Sequence, residues 1–208
     1  MEQINTNCCI HAVETAKIPK LQFKNILGHF QTIRHHKKLV RRECFKMGLY
    51  WQGMTHDLSK YSPVEFWSGC RFFQGTRSPN AREREVIGYS KAWLHHKGRN
   101  RHHFEYWVDF STRNSDAPFG VMPARMPDRY IAEMIADRVA ASKTYRGKQY
   151  LSSDPLRYYM QAKQKLPLHP YTQEMLEKFL HMLADEGEEK TFAYIKKNFL
   201  HKDKNRKQ

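Results

Sequence analysis

Residues 21–48 read LQFKNILGHFQTIRHHKKLVRRECFKMG. Within them Ile26, Phe30, Ile33, Val40, Cys44 and Met47 recur at steps of three, four and seven, the spacing that lines one face of an α-helix. Gly48 supplies a stop, because glycine takes the left-handed conformation that ends a helix at little cost. Strand-like alternation is not evident in the chain, and helical spacing recurs to near the C-terminus. The expected fold class is all-α, a single helical bundle.

Working outward, a short helix is expected through LYWQGMTHD, residues 49–57. The next begins at Ser62, where Ser62, Pro63 and Glu65 supply a cap, a first-turn proline and a capping-box acid. QGTRSPN reads as a loop, followed by a helix from about Ala81 to His96 and another, capped by Asn100, through RHHFEYWVDF. Residues 111–126 form a long irregular connection able to cover a site. Pro127 then opens the helix DRYIAEMIADRVAASKTY, and two packing helices follow near 154–165 and 171–198.

The length of 208 residues fits one domain: an N-terminal segment over 1–20, a helical domain over 21–198 and a basic tail over 199–208. There is no run of about 20 apolar residues and no charged-then-apolar leader, so neither a membrane span nor secretion is expected, and the cytoplasm is the expected location. Cys8, Cys9, Cys44 and Cys70 contain no C-x-x-C pair and read as free thiols. A net charge of +15 favours anionic partners, whether a phosphorylated small molecule, a nucleotide or a nucleic acid.

Twelve histidines are many for this length, and eight lie between positions 29 and 103, six of them as the pairs His35/His36, His95/His96 and His102/His103. A helix turns about 100° per residue, so only one member of a helical pair faces the core squarely. His36 shares the register of Ile33, Val40 and Met47. His96 follows Val86, Tyr89 and Trp93, and His103 shares a face with Trp107 and Phe110. Asp137 sits on the otherwise apolar stripe of Tyr130, Met134 and Ala141. A lone inward histidine is more often a hydrogen-bonded core residue, but several imidazoles and a carboxylate buried together would each be costly unpaired. One or two divalent transition metals, among manganese, iron, zinc, nickel and cobalt, would satisfy them together, with Asn100 or Glu133 orienting the ligands. The choice within each pair rests on helical phase.

The order His36, His56-Asp57, His96, His103, Asp137 resembles the HD-domain superfamily of helical, metal-dependent phosphohydrolases over residues 30–140. HDLSK looks like the HD-x-G-K form of that superfamily, with Ser59 where glycine is usual. HDLSKYSPVEF with HHKGRNRHHFEYW is similar to a family of short bacterial and phage proteins. The resemblance implies that His36, His56, Asp57 and Asp137 hold one metal and that Asp57 bridges to a second held by His96 and His103. HHKGRN lacks the glutamate and glycine pattern of the cyclic-di-GMP phosphodiesterase branch, so that substrate is not implied.

Such a centre suits hydrolysis of a phosphate ester. Lys60 is placed to meet a phosphate oxygen, Lys97 and Arg99 are further candidates for substrate, and Glu133, one turn before Asp137, is a candidate proton carrier. The expected function is a metal-dependent phosphoesterase acting on a nucleotide or related phosphate ester. Two competitors stand beside it: an HD-type di-iron oxygenase, and a basic nucleic-acid-binding protein whose metal site is structural or inactive.

Overall fold

The structure, a computed structural model, describes residues 17–111 and 120–201. Among the described residues eight α-helices make up the bundle: α1 (Phe23–Lys46), α2 (Tyr50–Thr55), α3 (Pro63–Arg71), α4 (Pro79–Ile87), α5 (Lys91–Lys97), α6 (Asp128–Arg146), α7 (Asp154–Ala162) and α8 (Pro170–Tyr194). The all-α expectation holds. No helix among the described residues is long and apolar enough to cross a membrane.

Helix α6 is the centre. Ile131, Ala132, Ile135, Ala136, Val139 and Ala140 are all fully buried, and α1, α7 and α8 pack against it. A helix apolar on most of its circumference has no stable place except inside others. Val40 and Cys44 of α1 and Leu176, Phe179, Leu180 and Leu183 of α8 complete that core. An ion-pair cluster ties the same three helices: Lys143 on α6 reaches buried Glu43 on α1 at 2.9 Å and Glu188 on α8 at 2.6 Å.

Helix α1 ends where glycine was expected to end it, with Gly48 at φ +78°. Ile33, Val40, Cys44 and Met47 are buried as its spacing requires, whereas Phe30 lies at the rim, edge-on to Tyr61. The helix expected over 81–96 is two. Gly88 at φ +88° closes α4, and the Ser90 hydroxyl, accepting from the Trp93 amide at 3.0 Å, opens α5. Tyr89 is consequently half exposed rather than on the His96 face.

The helix expected after Asn100 is absent. Phe104–Trp107 is a single 3-10 turn, and β1 (Val108–Phe110) then pairs antiparallel with β2 (Val121–Pro123), Asp109 opposite Met122. Aromatic and β-branched residues from Tyr106 to Phe110 favour extended backbone, and a partner strand across the connection stabilises it. Residues 112–119 of the connection lie outside the described residues, as do 1–16 and 202–208, which hold Cys8, Cys9 and most of the basic tail. Cys44 and Cys70 are buried free thiols. Helix α8 runs from Pro170 across a kink at Gly187 and continues as a π-helical turn, Ile195–Phe199.

Candidate metal centre

The imidazoles and carboxylates converge where α1, the α2–α3 connection, α5 and α6 meet. Asp57 is at the middle and is 1 % exposed. It is the only non-glycine among the described residues with positive φ, at +54°. Aspartate tolerates the left-handed region better than most residues, and strain held there by surrounding packing is typical of a functional position. That turn of the backbone lets adjacent side chains meet: His56 Nε2 lies 3.2 Å from Asp57 Oδ2.

The two oxygens of Asp57 face two different sets of ligands. Oδ2 faces His56 and, at 3.6 Å, His36 Nε2, and Asp137 Oδ1 closes this set at 3.1 Å from His36 Nε2 and 3.4 Å from His56 Nε2. Oδ1 faces His96 Nε2 at 3.2 Å and His102 Nε2 at 3.4 Å, and His103 Nε2 lies 2.9 Å from His96 Nε2. Each set of four residues brings one donor atom apiece within 4.8 Å of the others, close enough to share an ion. The donors, neutral imidazole and carboxylate, are those that divalent transition metals accept. His36 Nε2, His56 Nε2, Asp57 Oδ1 and His102 Nε2 are buried without a hydrogen-bond partner, a cost that a bound cation removes.

All six ligand candidates from the sequence are therefore together, with His102 added. The choice of His103 over His102 assumed a helix; in the turn and extended backbone that replace it, both reach the centre. His95 stands apart, its Nδ1 paired with Glu65 Oε1 at 2.6 Å.

Behind the ligands stand groups that fix their rings. Glu133 Oε1 accepts from His56 Nδ1 at 2.9 Å and lies 3.2 Å from His102 Nδ1, which turns both Nε2 atoms toward Asp57. Glu133, His56 and His102 are themselves a converging set. Glu65 Oε2 holds His96 Nδ1 at 2.7 Å, and the Asn100 amide donates to the His96 carbonyl and to Ser59 Oγ, each at 2.8 Å. Glu65 had the position of a capping-box acid; instead its backbone takes the Ser62 cap at 3.4 Å while its buried carboxylate turns inward.

Charge sets the protonation of the cluster. Burial alone would depress the His56 imidazole, but Asp57, Asp137 and Glu133 override it and raise its affinity for a proton well above the ordinary histidine value. Burial would likewise raise the Asp57 carboxyl, yet His56, Lys60 and His96 hold it well below the usual carboxylate range. The centre concentrates negative charge that a cation neutralises. Lys60, whose ammonium lies 2.6 Å from Asp57 Oδ2, is already one such cation; burial opposes its charge, and Asp57 and Asp137 restore it.

A cavity of about 410 Å³ opens beside the ligands, with His36, His96, His103, Asp137 and Lys60 in its wall. It is also lined by Trp93, Tyr145 and Tyr158, and by Arg84, Arg138 and Glu105. Arg138 Nε and Glu105 Oε2 are buried there without hydrogen-bond partners. Neither Lys97 nor Arg99, expected to meet substrate, lines it: Arg99 is exposed and turns back to the His95 carbonyl at 3.4 Å. Their places belong to Arg84 and Arg138, which helical spacing alone did not single out. Nor does Glu133 line the cavity, so it orients His56 and His102 rather than facing substrate.

No curated protein and no solved structure matches the chain. A family model does match over residues 25–182, a span that holds every candidate ligand and every residue named in the cavity wall. The chain belongs to that family, the family of unknown function DUF5662.

Proposed function

We propose that the protein is a metal-dependent phosphoesterase whose substrate is a nucleotide or a phosphate ester of similar size. The observation that carries this reading is Asp57, each of whose oxygens faces a separate histidine set at the wall of a cavity that also receives the Lys60 ammonium. His36, His56, Asp57 and Asp137 would hold one divalent ion, and Asp57, His96, His102 and His103 a second. Ions so held would supply Lewis acidity and an activated water for attack at phosphorus.

The chain's own residues do the rest. Lys60 is free to turn its charge from Asp57 to a phosphate oxygen once that carboxylate is occupied. Trp93, Tyr145 and Tyr158 in the wall offer aromatic surface to a planar leaving group. Arg138 and Glu105, in the same wall, bring a guanidinium and a carboxyl group near its heteroatoms. Lys60, Arg84 and Arg138 in the wall balance Glu65, Glu105 and Asp137, so bound divalent ions would make the site net positive and favour an anionic substrate over the neutral organic substrate of an oxygenase.

The test is turnover of a panel of nucleotides and chromogenic phosphodiesters by manganese-loaded protein without oxygen. Lys60→Ala should lower kcat at least tenfold with metal content unchanged. Two irons per chain, with oxygen consumption and no ester turnover, would replace this reading with the oxygenase.

A further inference from the structure

A second concavity, of about 470 Å³, lies on the outer side of α1, walled by α2 and the 3-10 turn Leu58–Tyr61. Its lining includes Arg34, Lys37, Lys38, Arg41, Met54 and Tyr61. Positions 34, 38 and 41 share one helical face, opposite the face that carries His36 into the metal centre. The groove and the centre are thus on two sides of the same helix.

Its charge is uncompensated. Between Lys17 and Arg84 the sequence carries fourteen lysines and arginines and four acids, Glu43, Asp57, Glu65 and Glu83, each 5 % exposed or less. The exposed surface of this whole stretch therefore presents no carboxylate. At the end of this stretch Arg77 and Arg82 are neutralised by Glu85, and farther along Lys163 is by Glu177. No carboxylate among the described residues pairs with Arg34, Lys38 or Arg41. Helical rise places Arg34 and Arg41 about 10 Å apart along the groove.

One aromatic side chain, Tyr61, edges the cations, and a second, Trp51, stands on the α2 wall outside the groove's lining. Tyr61 is 40 % exposed with Lys37 over its ring, and along α2 Trp51 is 76 % exposed one turn from Met54. A row of unpaired cations beside exposed ring faces is the chemistry that binds single strands, whose phosphates need charge and whose unpaired bases need surfaces to stack on. A duplex hides its bases. We infer that this groove binds single-stranded nucleic acid, DNA or RNA.

The experiment uses the full chain and fluorescent dT and U oligonucleotides of about fifteen residues, followed by anisotropy over a range of salt. The parent should bind at least one of them, and the stronger of the two identifies the sugar preferred. R34Q/K38Q/R41Q should weaken binding at least tenfold and reduce the slope of log K against log salt by about 2, since each phosphate contact on a single strand contributes about 0.7. Trp51→Ala should weaken binding several-fold with the slope unchanged. Both variants should keep the parent's metal content, which separates this surface from the phosphoesterase site. K178Q/K196Q/K197Q removes the same charge from α8 and the turn after it and should stay within about twofold of the parent. Equal weakening by the two triple variants, an unchanged affinity in Trp51→Ala, or binding of phosphatidylglycerol vesicles without binding of oligonucleotides would each overturn the assignment.

Discussion

The Nε2 atoms of His96 and His103 lie 2.9 Å apart. Two imidazole lone pairs repel at that distance, so in the metal-free protein one nitrogen must carry the proton. The environment assigns it. Burial, with His102 and His96 beside it, keeps His103 neutral far below the ordinary histidine value, whereas Asp57 and Glu65 overcome burial and raise His96. His96 then donates and His103 accepts. A cation takes both lone pairs and removes the need for the proton, which is why this contact reads as half of a metal site.

From this it follows that His103→Ala and His102→Ala should each reduce the metal content from two ions per chain toward one. His95→Ala should keep both, because His95 spends its Nδ1 on Glu65. Elemental analysis of the three variants checks this. Two ions retained in His102→Ala would return that residue to a packing role.

The carboxylates behind the histidines should matter nearly as much as the ligands. Glu133→Gln and Glu65→Gln keep side-chain shape but weaken the hold on His56, His102 and His96, and each should lower metal affinity by about 10- to 100-fold. Competition against a chromogenic chelator measures it. Unchanged affinity in both would mean that the rings are positioned by packing alone.

His29 makes the fold acid-sensitive apart from the metal. Its ring lies against Phe66 and Phe73 at the cavity wall, and burial, then the charge of Lys60, lowers its pKa from 6.5 to about 4. Above pH 6.5 His29 is neutral in folded and unfolded chains alike and does not bias the equilibrium. As pH falls from 6.5 to about 4 the unfolded chain takes the proton first, so stability declines, levelling off below about 4 at a loss of about 3 kcal/mol. Urea unfolding of the parent and of His29→Gln at pH values across this window should show a difference that shrinks on acidification. A constant difference would contradict the burial account.

What the sequence disclosed depended on whether a residue lay in regular helix. His36 was legible because Ile33 and Val40 fix the phase of α1 on either side of it, and Asp137 because it interrupts an apolar stripe on α6. His102 was not. Only one of two neighbours faces inward where the backbone turns 100° per residue, and the chain has left the helix by Gly98. Glu65 was hidden by its spacing from Ser62, which the backbone uses for the cap while the carboxylate serves the histidines. Gly88 and Ser90 are a stop and a cap like Gly48 and Ser62, masked by the apparent continuity of Val86, Tyr89 and Trp93, whereas no local pattern announces that Arg84 and Arg138, far apart in sequence, line one cavity.

The dinuclear centre is tested most directly by elemental analysis of protein purified without chelator, alongside Asp57→Asn. Asparagine suits the left-handed backbone at this position and keeps the side chain's shape, so the variant removes the shared charge with little cost to the fold. Two transition-metal ions per chain in the parent, falling below one in the variant, is the predicted result. A parent that binds no such ion, or a variant that retains two, would contradict the site.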